Sequence, residues 1–112
     1  TVGNPHFMVE VSNVENFELE ELYQSVNNDK NFTSGVNLEI YEIINSEYVK
    51  ARVYERGVGE TDACGSGALC MFNYLSKTNR IGTNGYILYP GGELNLRFEN
   101  EDLYLSGEVI YL

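Results

Sequence analysis

The segment from Cys64 to Lys77 constrains the fold more than any other. Ala68, Leu69, Cys70, Met71, Phe72, Tyr74 and Leu75 leave it almost no polar face. Wound at 3.6 residues per turn, such a helix is apolar nearly all round and predicts burial within the fold rather than a place on its surface. The rest of the chain must then supply the wrapping, and most of it reads as strand. Residues 6–12 alternate, with Phe7, Val9 and Val11 on one side. Residues 36–44 and 47–56 alternate through Val36, Leu38, Ile40 and Val49, Ala51, Val53, and a short turn at Asn45-Ser46 makes them a hairpin. Strands at 86–89, 93–99 and 103–112 are punctuated by Pro90-Gly91-Gly92 and Asn100-Glu101-Asp102. A second helix spans residues 17–27, with Glu18, Glu20 and Glu21 in its first turn and an apolar stripe of Leu19, Leu22, Tyr23 and Val26. The predicted class is α+β: a mostly antiparallel, curved, roll- or barrel-like β-sheet wrapped around a central buried helix. With 112 residues, 43% of them apolar, residues 1–112 make one domain with a modest core. The opening Thr1-Val2-Gly3-Asn4-Pro5-His6 has no starting Met and runs almost directly into a strand. It predicts a domain cut from a longer chain on its N-terminal side.

Charge narrows the partners. Seventeen acidic residues against seven basic ones give a formal net charge of −10. That field repels nucleic acid and anionic membrane, and an acidic ligand would need local donors. The apolar runs are far shorter than a membrane span, and the start does not read as a signal peptide. Cys64 and Cys70 are too few for a disulfide framework or a metal site, and on one helix they lie nearly two turns apart. Reduced thiols without a signal sequence predict a cytoplasmic protein.

The chemistry concentrates in Glu55-Arg56-Gly57-Val58-Gly59-Glu60-Thr61-Asp62-Ala63-Cys64-Gly65-Ser66-Gly67. A strand ends, a glycine turn follows, and a cysteine opens a helix that Thr61 or Asp62 could cap. The N–H groups of a first helical turn have no intrahelical partner and attract anions. The same partial charge lowers a thiol's pKa and predicts a thiolate accessible near neutrality at Cys64. The plainer alternative is a small buried side chain at a glycine-rich helix start. Cys70, mid-helix among apolar neighbours, reads as core. Glu55 could receive an ammonium and Arg56 clamp a carboxylate, or both could be solvated charges at a strand end. His6, the only histidine, suits proton transfer or support of a thiolate, or is merely structural. Asn4 and Asn37 could donate to a carboxylate.

Five runs, in order and spacing, resemble the second half of diaminopimelate epimerase: Gly3-Asn4-Pro5-His6, Gly35-Val36-Asn37, Val53 to Thr61, Ala63-Cys64-Gly65-Ser66-Gly67 and Tyr89-Pro90-Gly91-Gly92-Glu93-Leu94. The resemblance covers nearly the whole chain. It implies a PLP-independent isomerase, without cofactor or metal, that interconverts LL- and meso-diaminopimelate for lysine and peptidoglycan synthesis. In that family two cysteines face each other across the α-carbon. Cys64 would be one of them, with His6 and Glu55 poising the thiol/thiolate pair. Gly65 and Ser66 would serve the reacting carboxylate. Asn4, Asn37 and Arg56 would take the distal carboxylate, and Glu55 the distal ammonium.

The family's other cysteine belongs to an N-terminal epimerase domain that these residues do not include, and Cys70 cannot flank a carbon from the same helix. The resemblance thus implies a half that is inactive until its partner domain is supplied, with homo-oligomerisation plausible. Three alternatives stay open. One is a related proline or hydroxyproline racemase-type isomerase. Another is a cysteine hydrolase, for which His6 must hydrogen-bond Cys64. The third is a non-catalytic ligand-binding domain derived from an epimerase.

Overall fold

The computed structural model describes residues 6–28 and 36–107. Asn4, together with Gly3, Pro5 and Gly35 of the resemblance motifs and the last residues of the expected 103–112 strand, lies outside them. The elements run β1 (His6–Glu10), α1 (Leu19–Asn27), β2 (Asn37–Ile43), β3 (Tyr48–Glu55), β4 (Gly59–Thr61), α2 (Gly65–Lys77), β5 (Asn84–Tyr89), β6 (Gly92–Glu99) and β7 (Asp102–Gly107).

The strands form one mixed seven-stranded sheet in the order β1-β2-β3-β5-β6-β7, with β4 folded back on β3. Its pairings are antiparallel except β1 with β2 and β3 with β5, which are parallel. The class is α+β, as the sequence predicts, and the sheet is not closed into a barrel.

Period-two alternation sorts the sheet's two faces. Tyr41, Val49, Ala51, Val53, Ile87, Leu94 and Leu96 pack with Ala68, Met71, Phe72 and Leu75 of α2. Leu38 and Ile40 face the other way, packing with Val14 and with Leu19 and Tyr23 of α1. Tyr54 stacks on Tyr23 at 4.1 Å on that same side. The sheet therefore separates the two helices, and residues 37, 39 and 41 of β2 point towards α2. Burial of side chains such as Phe72 and Leu75, 1% and 0% exposed, stabilises by about 1.5–3 kcal/mol each.

Three expectations need correction. First, α2 is not buried all round: Ser66, Cys70, Asn73, Tyr74 and Lys77 are exposed, and Cys70 is a surface residue rather than core. The sheet covers one side of the helix only, which Gly67, Ala68, Met71, Phe72, Leu75 and Ser76 occupy. Second, the first strand ends at Glu10 rather than at residue 12; its alternation holds, with Val9 packing towards α1 and Met8 towards α2. Third, the turn after β3 contains the short strand β4, paired Val53 to Thr61 and Glu55 to Gly59. Positive φ at Gly57 and Gly59, 78° and 109°, lets the chain reverse there. No helix among the described residues is long and apolar enough to cross a membrane.

Candidate active site

Five strands, β1 to β5, and one helix end bring the site together. Cys64 is the residue that caps α2, not Thr61 or Asp62. Its backbone is extended, with φ −145° and ψ 107°, and its Sγ accepts a hydrogen bond from Gly67 N at 3.4 Å. Ser66 Oγ lies 3.4 Å from the same sulfur. Two further contacts fix the turn from below. Tyr89 Oη donates to the Cys64 carbonyl at 3.3 Å, and Gly91 N donates to the Asp62 carbonyl at 2.9 Å. A Cβ on Gly91 would meet Asp62 Cβ at 2.7 Å, so glycine alone lets the two segments touch. The Tyr89-Pro90-Gly91 run thus acts on the site by holding the cysteine turn in place.

The strand end beside it is braced just as closely. Asn37, buried at the start of β2, accepts from Arg56 N through Oδ1 at 2.8 Å, which leaves its amide nitrogen as that side chain's donor. Thr61 Oγ1 donates to Glu55 Oε2 across the β3–β4 hairpin. On the sheet's other face Arg52 grips Glu60 through Nε and Nη2 at 2.7 and 2.8 Å, and donates Nη1 to the Val14 and Phe17 carbonyls. Glu60 therefore braces the glycine turn. Glu55 is half-buried, whereas Arg56 reaches solvent at the mouth of the turn.

His6 arrives from β1, but its partner is not the cysteine. Its Nδ1 lies 3.0 Å from Oε2 of Glu39, a carboxyl with no solvent exposure. The Cys–His hydrogen bond that a thiol hydrolase needs is not formed among the described residues. Glu39 is the site residue that sequence reasoning missed. The signal for it was a charged residue at mid-strand, in phase with Asn37 and Tyr41 on the face that turns towards α2. Burial pushes its pKa up to about 7, against the pull of His6, and Glu55 adds to the rise.

The environment of Cys64 also corrects an expectation. Burial raises its pKa. The bonds from Ser66 and Gly67 draw it down, and the nearby carboxylates of Glu39 and Glu55 raise it further. Desolvation outweighs the helix terminus, so the fold favours the thiol over the thiolate. The arrangement can hold one weakly acidic S–H beside the first-turn amides of Gly65 and Ser66, with the carboxylates of Glu39 and Glu55 nearby and Arg56 exposed at the end of β3. A separate cavity of about 310 Å³, lined by Val14, Lys50, Arg52 and Tyr89 among others, contains none of Cys64, His6, Glu39, Glu55 or Arg56.

A family model described as diaminopimelate epimerase matches residues 1–112. Among curated relatives, the diaminopimelate epimerase of Brachyspira hyodysenteriae is 38% identical over 114 residues, covering 99% of this chain and 40% of that protein. Those of Xanthomonas euvesicatoria and Xanthomonas campestris are 34% and 35% identical over 114 residues, again covering 100% of this chain and 40% of the relative. The chain thus spans about two fifths of the length of these relatives.

Proposed function

The chain belongs to the diaminopimelate epimerase family, and from that premise we propose that it supplies one of two opposed acid–base thiols of a PLP-independent epimerase interconverting LL- and meso-diaminopimelate. Cys64 is that thiol. It rests protonated and delivers its proton to one face of the α-carbon, while a second cysteine, in the remainder of the protein, removes the proton from the other face. The first-turn amides of Gly65 and Ser66 stabilise the charge that builds on the reacting carboxylate as the carbanion forms. Arg56, Asn37 and Asn4 take the distal carboxylate, and Glu55 takes the distal ammonium.

The observation that carries this reading is the Cys64 cap: a sulfur bound by Gly67 N and Ser66 at the start of a half-buried helix, with Glu55 and Arg56 at the adjoining strand end. A local cluster of donors and one guanidinium reconciles the substrate's two carboxylates with a chain of net charge −10. Lysine and peptidoglycan synthesis in the cytoplasm is the setting that follows from this substrate.

The test is to incubate the full-length protein containing these residues with LL-diaminopimelate and with L-proline, and to resolve the stereoisomers formed. Conversion to meso-diaminopimelate, with proline untouched, is the expected result. Arg56→Ala is expected to raise KM at least tenfold with a smaller change in kcat, the signature of a distal-carboxylate contact. Racemisation of proline or hydroxyproline in place of diaminopimelate would move the protein to the related racemase type.

A further inference from the structure

Glu39 stands in a place where a carboxyl is expensive. It has no solvent exposure, and its Oε1 has no hydrogen-bond partner among the described residues. An orphaned oxygen of this kind costs stability unless the site uses it. Its location is specific. A Cβ built on Gly67 would lie 1.6 Å from Glu39 Oε1 and 3.4 Å from Cys64 Sγ. Oxygen and sulfur therefore crowd the same glycine, no farther apart than the sum of those two distances, and only the missing side chain of Gly67 admits the carboxyl. The other oxygen is tied to His6 Nδ1 at 3.0 Å, a bond that requires a proton on one of the two groups. Among the described residues, the titratable groups that face Glu39 are His6 from β1, Glu55 at the end of β3, and Cys64 and Cys70 on α2.

We propose that Glu39 is a positioning residue for Cys64: a buried carboxyl that shares a proton with His6 and, by its charge beside Gly67, sets whether the thiol or the thiolate form of Cys64 is favoured. Ionised, it places a negative charge next to the sulfur and holds Cys64 as thiol. Neutral, it removes that opposition and lets the thiolate form. His6, with its side chain 13% exposed, is the link through which the pair exchanges a proton with solvent. The inference deepens the reading of Cys64 as a reacting thiol and rests on it, but the measurement needs no substrate.

The experiment uses the full-length protein in a Cys70→Ser background. The rate of Cys64 alkylation by iodoacetamide is followed against pH and resolved by peptide mass spectrometry, in wild type and in Glu39→Gln. Gln keeps the shape and a bond to His6 but carries no charge. The expected result is a Cys64 profile displaced to lower pH in the variant, with about tenfold faster modification near neutrality. Superimposed profiles would overturn the proposal and leave Glu39 a structural carboxyl. Should the variant fail to fold, infrared spectroscopy decides. A protonated-carboxyl band that titrates near neutrality in wild type and persists to higher pH in His6→Phe supports the pair; its absence at every pH, or a titration unmoved in His6→Phe, rejects it. Coupling without diaminopimelate turnover by wild type would sink the epimerase reading and keep this one.

Discussion

In the full-length protein, Cys64→Ser is expected to lower kcat for the proposed diaminopimelate epimerisation by about 10³-fold while leaving the fold intact. Serine is the informative replacement because the two roles of Cys64 separate there. Its oxygen still accepts from Gly67 N, so α2 keeps its cap, whereas alanine would forfeit about 1 kcal/mol of helix stability. A hydroxyl, however, ionises too weakly to alternate as acid and base at a carbon centre. Steady-state kinetics beside thermal unfolding checks both halves: activity falls and Tm holds. A variant that keeps more than a tenth of wild-type kcat would remove Cys64 from the reaction.

The second large effect is on stability, and its sign is unusual for a buried substitution. Glu39 titrates at about 7 in the fold, compared with an ordinary value of 4.5. Between those two pH values the native carboxyl keeps a proton that the unfolded chain has released. Native stability from this group is therefore fully present below about 4.5, declines as pH rises, and is lost above about 7. The full loss amounts to about 3 kcal/mol. Glu39→Gln never ionises and escapes it. The variant and wild type should be equally stable near pH 4.5, and the variant more stable by up to about 3 kcal/mol at pH 8. Urea unfolding at the two pH values measures this directly. Equal stabilities at pH 8 would mean that the ionised carboxyl is compensated in the fold. A stabilising loss of charge is what a residue retained for function, at the expense of stability, should show.

Much of the architecture was legible because it is written in local period. Val49, Ala51 and Val53 alternate strictly and do line one face of β3, and the turn at Asn45-Ser46 does join β2 to β3. The cysteine turn and its glycines were legible for a different reason: the residue types needed at a helix start with close approach are few. What was not legible is non-local. The parallel pairings of β1 with β2 and β3 with β5 depend on which strands meet across the chain, and no alternation encodes that. β4 is three residues long, too short to carry a period. The exposed side of α2 was misjudged because Cys70 and Tyr74 look apolar by type, while the sheet covers only the opposite side. Glu39 carried only a signal of phase, because burial of a carboxyl depends on Gly67 lying opposite it, twenty-eight positions further along. The thiol's pKa was misjudged because a helix terminus can be read from sequence and desolvation cannot.

The pairing of Cys64 with a thiol outside these residues is the centre of the account. Its most direct test is solvent deuterium incorporation at the α-carbon of diaminopimelate in heavy water. The 112-residue chain is assayed alone, then with the N-terminal portion of the same protein added, then with that portion and Cys64→Ser. The expected result is no incorporation by the chain alone, incorporation when the two parts are combined, and its loss in the variant. Incorporation by the chain alone would contradict the two-thiol arrangement, as would none from a combination shown to associate.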